Sequence, residues 1–223
     1  MNVGAIIPAA GAGRRMGGVR KAFLEMGGKP LLQYSVTACL AHPAVRQVVV
    51  ALAAEDLHDV PAWLKDARVS LVAGGSERAD SVRAGLAALS DDIDAVLIHD
   101  AARPLINSDL IDRVLHEVRA GSSATVAMPV TDTLHDVDTK HEIRATPDRN
   151  RFWRAQTPQA FPRDVLELAF ATNAAAASAT DEAGLVAAGG WPVRVVPGEA
   201  WNIKVTTADD VAIAEAALRE RRG

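Results

Sequence analysis

Short aliphatic runs alternate with helical patterns along most of this chain, and this alternation limits the possible folds more than any other feature. The predicted strands of the first half are Val3–Pro8, Gln47–Ala51, Val69–Val72, Ala95–His99 and Thr125–Pro129. Helices are predicted at 31–41, 78–88 and 109–120, the last with Asn107 or Ser108 as its N-cap. Because the strands are almost continuously apolar, we expect them to be buried on both faces. The pattern predicts an α/β fold with a mostly parallel sheet flanked by helices.

The second half of the chain continues this pattern after one interruption. The predicted elements are a strand at Phe152–Thr157, a helix at Arg163–Ala177, a strand at Val193–Pro197 and a helix at Ala208–Arg221. No linker divides the chain, so residues 1–223 are predicted to form a single domain. The interruption is the polar segment 131–151, which alternates like an exposed hairpin. It is either a solvated excursion or an arm that pairs with another subunit.

A glycine-rich loop with four basic residues follows the first strand. Gly11 and Gly13 permit close backbone approach to a ligand, and the cations of the loop suit a strongly anionic one. These cations are Arg14, Arg15, Arg20 and Lys21. A nucleoside triphosphate is the ligand that this loop favours, although an ordinary strand-to-helix turn is the alternative.

Two familiar phosphate-binding motifs fit this loop poorly. A Walker A loop requires Gly-Lys-Ser/Thr, which does not follow these glycines. A dinucleotide-binding fingerprint requires a third glycine where Met16 stands, and an acidic residue about twenty positions further on that is missing here. A dinucleotide-dependent oxidoreductase is therefore disfavoured.

Candidate site residues follow three predicted strands. The glycine loop, the Gly74-Gly75-Ser76 turn and the His99-Asp100 segment all lie at carboxyl ends, where parallel sheets bind ligands. Asp100 is a candidate Mg²⁺ ligand beside a triphosphate, or else a turn cap. His99 is predicted to be a packed strand residue, and Thr180-Asp181-Glu182-Ala183 to be a helix cap without a chemical role.

Composition narrows the class of protein further. The formal net charge is −4, so the basic loop is a local feature and a general nucleic-acid surface is disfavoured. The single Cys39 allows no internal disulfide and suits a reducing compartment. The apolar N-terminal run is too short to cross a membrane and has the wrong flanking charges for a signal peptide. We therefore expect a cytoplasmic protein that binds neither membranes nor nucleic acid.

The motifs, taken in order, resemble those of the 2-C-methyl-D-erythritol 4-phosphate cytidylyltransferase family of the non-mevalonate isoprenoid pathway. The matching segments are Pro8-Ala9-Ala10-Gly11-x-Gly-Arg-Arg-Met16 with Lys21, Gly74-Gly75 with Arg78-x-x-Ser81-Val82, His99-Asp100-Ala101-Ala102-Arg103-Pro104, Val130-Thr131-Asp132-Thr133, Asp148-Arg149-Asn150, Gln156-Thr157-Pro158-Gln159 and Asn202-Ile203-Lys204-Val205-Thr206. The resemblance implies a Rossmann-like nucleotidyltransferase fold with a protruding β-arm at about 131–151. It also implies a homodimer formed through that arm.

The resemblance assigns roles to individual residues. It implies transfer of CMP from CTP to methylerythritol phosphate, with Mg²⁺ held by Asp100. The residues expected to act in catalysis are Arg15, Lys21, Arg149 and Lys204. Those expected to bind CTP are Ala9, Ala10, Gly11, Gly13, Gly75, Ser81, Asp100 and Ala101. Those expected to bind the polyol phosphate are Arg103, Thr133, Arg149 and Thr157, with Thr133 and Arg149 reaching over from the partner subunit.

The chain departs from the family pattern at three positions. Arg20 stands where many members have proline, Trp201 where many have aspartate, and Ser76 where an acid is frequent. Two other functions remain as alternatives: a cytidylyltransferase acting on ribitol 5-phosphate, and a nucleotide-binding scaffold without catalysis. The scaffold would not need Asp100, Arg103 and Lys204 together.

Overall fold

The computed structural model describes residues 1–11, 20–173 and 180–220. The strands are β1 Val3–Pro8, β2 Glu25–Met26, β3 Lys29–Pro30, β4 Val45–Leu52, β5 Val69–Ala73, β6 Ala95–Ile98, β7 Ser123–Pro129, β8 Asp136–Val137, β9 Ile143–Ala145, β10 Trp153–Pro162 and β11 Val193–Pro197. The α-helices are α1 Leu31–Ala41, α2 Arg78–Ala87, α3 Ser108–Arg119, α4 Arg163–Thr172, α5 Glu182–Ala188 and α6 Ala208–Glu220.

Seven strands form one sheet in the order β11-β7-β10-β6-β1-β4-β5. Strand β10 is antiparallel to both of its neighbours, and the other pairs in the sheet are parallel. The sequence analysis predicted a mostly parallel sheet, and this is confirmed. Because β10 runs against β6, its first half lies at the edge of the sheet where β1, β5 and β6 end.

The sheet is covered on both faces, which explains the nearly continuous apolar strands. Alternate residues of β1 point to opposite sides, so Ala5 and Ile7 pack with α1 and α3 while Ile6 packs with α2, α4 and α5. All three of these β1 residues are fully buried. A smaller cluster packs α6 against the β2–β3 hairpin through Met26 and Ala214. None of the described helices has the length and hydropathy needed to cross a bilayer.

Two element predictions need correction. The predicted strand Phe152–Thr157 is the start of a longer strand that runs to Pro162, because residues 159–162 pair with β6. Helix α4 ends at Thr172, and Asn173 has extended backbone angles; the rest of the predicted helix, 174–177, lies outside the described residues. The Asn107 N-cap of α3 is confirmed, since its side chain accepts a hydrogen bond from the Leu110 amide at 2.9 Å.

The segment 131–151 forms an exposed hairpin. Strands β8 and β9 pair with each other and with no other strand of the described part of the chain, and their residues are exposed. An isolated two-stranded hairpin is at best marginally stable in water. The predicted arm is therefore a hairpin that would gain stability by packing against another protein surface.

Candidate active site

Asp100 occupies the centre of the candidate site, two residues after β6 ends at Ile98. Its carboxylate contacts three cationic side chains: Arg78 Nε lies 3.2 Å from Oδ1, Lys204 Nζ 2.7 Å from Oδ2, and Arg103 Nε 4.0 Å from Oδ2. Burial favours the neutral acid, but Arg78 and Lys204 outweigh it and hold the pKa of Asp100 well below its ordinary value. Asp100 is therefore a fixed negative charge at neutral pH.

Lys204 is the exposed member of this group. Its side chain is 43 % exposed, whereas the Asp100 side chain is 11 % exposed. The lysine ammonium group is therefore accessible from solvent while it contacts the carboxylate. Asp100 and the arginines are more firmly enclosed.

Arg103 and Asn202 connect three chain segments beneath the site. Arg103 donates to the carbonyls of Asn202 at 2.8 Å and Ala155 at 3.1 Å. Asn202 is fully buried and donates to the carbonyl of Thr157 at 2.8 Å. These bonds fix the segment that carries Lys204 against the start of β10.

His99 and Thr157 form a second buried network. The Asp100 amide donates to Thr157 Oγ1 at 3.0 Å, the Thr157 hydroxyl donates to His99 Nδ1 at 3.0 Å, and His99 Nε2 donates to the Arg103 carbonyl at 3.0 Å. This pattern requires a neutral imidazole. Burial lowers the pKa of His99 to about 4. The prediction that His99 is packed is confirmed, but β6 ends at Ile98, so His99 follows the strand rather than lying in it. Thr157 is 4 % exposed, and its hydroxyl group belongs to this network. The contact of Thr157 with the substrate stays a prediction.

The buried His99 predicts a loss of stability in acid. The pKa of His99 in the folded protein is about 4, against an ordinary 6.5. The stabilisation that comes from the neutral, buried imidazole is therefore present above pH 6.5 and is lost as the pH falls to 4. The free energy of unfolding should drop by about 3 kcal/mol over this interval because of His99 alone. Urea denaturation at a series of pH values measures this, with the exposed His58→Gln as the control. If His99→Gln shows the same pH dependence as wild type, the assignment is wrong.

The side of the site that is predicted to bind the nucleotide is built by close approach of three segments. A Cβ added to Gly74 would lie 2.5 Å from Ala10 Cβ and 2.7 Å from Ser81 Oγ, so only glycine allows the β5 turn to meet the β1 turn here. A Cβ on Gly75 would lie 2.3 Å from Asp80 Cβ. Of the predicted CTP contacts, Ala10, Gly75 and Ser81 are thus brought together.

The other residues predicted to bind CTP are neighbours of Ala10 or Asp100 in the sequence, or they lie outside the described residues. Ala9 and Ala101 are buried at the ends of β1 and β6, and Gly11 is exposed. Gly13 and Arg15 lie outside the described residues. Lys21 begins a short 3-10 helix, Lys21–Phe23.

Arg20 has a different partner from the one expected. Arg20 was predicted to be one of the cations that suit a triphosphate, but its guanidinium pairs with Glu55 and lies 3.0 Å from the carboxylate of Asp56. These acids follow β4. Arg20 therefore connects the chain after the glycine-rich loop to the short 3-10 helix Ala54–Leu57.

The arm residues make contacts of their own. Arg149 donates to the Thr131 carbonyl at 2.8 Å, and both Arg149 and Thr133 are exposed. No described contact joins either of them to Asp100 within one chain. This arrangement agrees with the expectation that they would act from a partner subunit, which stays a prediction.

Sequence reasoning missed Arg78 and Glu182. Arg78 was quoted only as part of a motif, and it contacts both Asp100 and Glu182. The segment Thr180-Asp181-Glu182-Ala183 caps a helix as predicted, through Asp181, which accepts from the Gly184 amide at 2.9 Å, but the contact of Glu182 with Arg78 was not predicted. The sequence contains no local signal for this contact, because it does not show which acid lies next to Arg78 in the fold.

A magnesium site in this region would need oxygen ligands from the substrate. Among residues 1–11, 20–173 and 180–220, no cluster of three His, Cys, Asp or Glu side chains could hold a metal ion. Asp100 offers one ionised carboxylate, and Mg²⁺ is commonly held by one or two carboxylates together with substrate phosphates. The residues present fit such a shared site and not an all-protein cage.

Comparison with known proteins agrees with the motifs. The family model described as 2-C-methyl-D-erythritol 4-phosphate cytidylyltransferase matches residues 3–220. The chain is 46 % identical over 218 residues to the protein of that name from Rhodococcus jostii, covering 97 % of this chain and 95 % of the relative. The crystal structure of the cytidylyltransferase from Thermus thermophilus superposes with a TM-score of 0.82 at 36 % identity, covering 98 % of this chain and 100 % of that one. The 4-diphosphocytidyl-2C-methyl-D-erythritol synthase of Anaerococcus prevotii gives a TM-score of 0.85 at 28 % identity, covering 98 % of both chains.

Proposed function

The chain belongs to the 2-C-methyl-D-erythritol 4-phosphate cytidylyltransferase family, and from this premise we propose how its residues carry out the reaction. The enzyme is a nucleotidyltransferase that transfers CMP from CTP to 2-C-methyl-D-erythritol 4-phosphate. The ribitol 5-phosphate alternative is not favoured, because the family and the relatives carry the methylerythritol name. The observation that supports the residue roles best is the Asp100 carboxylate with Lys204 at the carboxyl edge of the sheet.

No protein nucleophile is needed for this transfer. The phosphate of the acceptor has a second pKa near 6 and is largely dianionic at neutral pH. One of its oxygens forms a bond to the α-phosphorus of CTP, the bond from that phosphorus to the bridging oxygen breaks, and pyrophosphate leaves with the electron pair. Because no proton has to be removed, the protein contributes position and positive charge.

We assign this positive charge to Lys21, Lys204 and Arg15. Lys204 moves from Asp100 Oδ2 toward the α-phosphate when CTP is present, because the triphosphate is the more highly charged partner. Arg15 and Lys21 hold the triphosphate, with Gly11 and Gly13 allowing close backbone approach. Ala10, Gly75 and Ser81 enclose the cytosine, and the tight contacts around Gly74 support a small pocket suited to a pyrimidine.

Mg²⁺ is the cofactor that we propose for this site. Asp100 would hold it together with phosphate oxygens, and the bound ion would neutralise part of the triphosphate charge. The low pKa of Asp100 supports this role, because the carboxylate remains ionised over the working pH range. We also propose a cytoplasmic location, on the basis of the single, buried and free Cys39.

Pyrophosphate release tests the substrate assignment. The protein is incubated with CTP, Mg²⁺ and a panel of sugar and polyol phosphates, with and without a chelator. Turnover with methylerythritol phosphate alone, abolished by the chelator, supports the proposal. Turnover with ribitol 5-phosphate selects the alternative acceptor, and turnover that resists the chelator removes the metal from the proposal.

The arm predicts a homodimer in solution. Apolar side chains on and beside it are exposed, with Val137 at 45 %, Ile143 at 61 %, Phe152 at 43 % and Trp153 at 46 %. A second copy would bury them. Light scattering should give twice the chain mass, and Ile143→Glu should shift the protein toward monomer, whereas Leu168→Glu, on the equally exposed surface of α4, should not. An active wild-type monomer would contradict the arm's role.

Arg149→Ala should raise the KM for the polyol phosphate by about 10–100-fold, since a charged hydrogen bond to phosphate contributes about 1.5–3 kcal/mol. The KM for CTP should change little. Arg151→Ala, in the same 3-10 turn Arg149–Arg151, is the matched control. Steady-state kinetics with each substrate varied in turn make the measurement, and a defect confined to CTP would show that Arg149 binds the other substrate.

A further inference from the structure

A buried carboxylate lies behind Asp100 and has no part in the reaction described above. Glu182 is the first residue of α5, and its residue is 2 % exposed. An acidic side chain at the start of a helix interacts favourably with the helix dipole even when it is exposed to water. Here it is enclosed instead, although Asp181 already caps the helix. The burial of Glu182 therefore needs a reason other than starting α5.

Arg78 supplies that reason because it joins Glu182 to Asp100. Its Nη1 pairs with Glu182 Oε2, and its Nε lies 3.2 Å from Asp100 Oδ1. A guanidinium is a planar, rigid group, so contacts at two of its nitrogens determine both its position and its orientation. The three side chains come from α5, from the start of α2 and from the end of β6, which are brought together only by the fold.

The two oxygens of Asp100 are consequently unequal. Oδ1 faces Arg78, which is held from behind by a carboxylate that solvent scarcely reaches. Oδ2 faces Lys204, whose side chain is 43 % exposed, and lies 4.0 Å from Arg103 Nε. Burial raises the pKa of Glu182, and its pairing with Arg78 offsets only part of this rise.

We propose that Glu182 is a positioning residue for cytidylyl transfer, which holds Arg78 and through it orients Asp100 so that Oδ2 faces Lys204 and the substrates. This inference rests on the proposed role of Asp100 and adds the residues that hold Asp100 in position. Residues that orient a metal-binding or reacting group typically change activity or affinity by about 10–100-fold when they are replaced. Glu182 belongs to this class although it is remote from the substrates.

The test is a double-mutant cycle on kcat and on Mg²⁺ dependence. Glu182→Gln keeps the shape and replaces the carboxyl group that holds Arg78, and Arg78→Met removes the intermediate link. Each single variant should lower kcat by about 10–100-fold and should raise the Mg²⁺ concentration for half-maximal activity. The double variant should be no worse than Arg78→Met, because Glu182 acts only through Arg78. Calorimetry of CTP with and without Mg²⁺ gives a readout independent of turnover, and the Mg²⁺-dependent gain in affinity should shrink in both single variants.

The controls separate this role from a structural one. Glu167→Gln removes an acid from another arginine pair, with Arg163 on α4, and should leave kcat unchanged. Glu182→Leu with Arg78→Met replaces the buried pair by apolar side chains, and should fold while remaining as impaired as Arg78→Met. If Glu182→Gln lowers only the melting temperature, or if the two single effects multiply in the double variant, the proposal is overturned. Wild-type turnover in the same assay separates this outcome from a failure of the proposed function.

Discussion

Lys204→Ala is expected to lower kcat by about 10²–10³-fold, because it removes a cation that acts where negative charge develops in the transition state. The side chain is 43 % exposed and its partner Asp100 keeps Arg78, so the fold should survive the change. The KM for CTP should change much less than kcat, since the triphosphate retains its other cations. Steady-state pyrophosphate release, with circular dichroism to confirm the fold, measures both quantities.

Lys65→Ala is the matched control for this loss of charge. Lys65 is an exposed lysine that precedes β5, at the opposite edge of the sheet from the site, and kcat should not respond to its removal. Lys204→Arg gives a further comparison, because it keeps the charge but changes its shape and reach. An unchanged kcat in Lys204→Ala would assign the α-phosphate to another residue.

The elements that the sequence predicted best are those determined by local pattern. Strand β1 and helix α1 have the predicted bounds, since an apolar run and a helical pattern are closed at each end by turn residues. Strand β10 was predicted too short because its second half depends on pairing with β6, 61 positions earlier between Gln159 and Ile98. A local pattern with Pro158 and Pro162 in it does not reveal such a pairing.

The candidate site was predicted at the level of segments rather than side-chain partners. Motifs identified the turns after β1, β5 and β6, and the structure brings Ala10, Gly74 and Ser81 into contact there. The partners of Arg78 and Arg20 were not predictable, because Glu182 and Glu55 are 104 and 35 positions away and resemble ordinary helix-start acids in the sequence. The charges in a sequence do not indicate which acidic side chain a given cationic side chain will contact.

Asp100→Asn should have the largest combined effect on activity and stability. The change preserves the size of the side chain, but it leaves Arg78, Arg103 and Lys204 facing a neutral amide. Removing one partner from a buried charge cluster typically costs about 3–5 kcal/mol, and we expect about 3 because Lys204 can turn to water and Arg78 retains Glu182. The kcat should fall by about 10²–10³-fold, since the site loses both the partner of Lys204 and the proposed metal ligand.

The pH dependence of this stability difference shows that the charge of Asp100 is responsible. The pKa of Asp100 lies below its ordinary 3.8 in the folded protein, so the stabilisation is complete above that value and is lost as the pH falls further. Urea denaturation should therefore show wild type well above Asp100→Asn at neutral pH, with the gap narrowing below pH 3.8. Asp112→Asn, at a carboxylate that is 60 % exposed, should cost little at any pH. A gap of the same size in acid would mean that Asp100 stabilises the fold through packing and hydrogen bonds rather than through its charge.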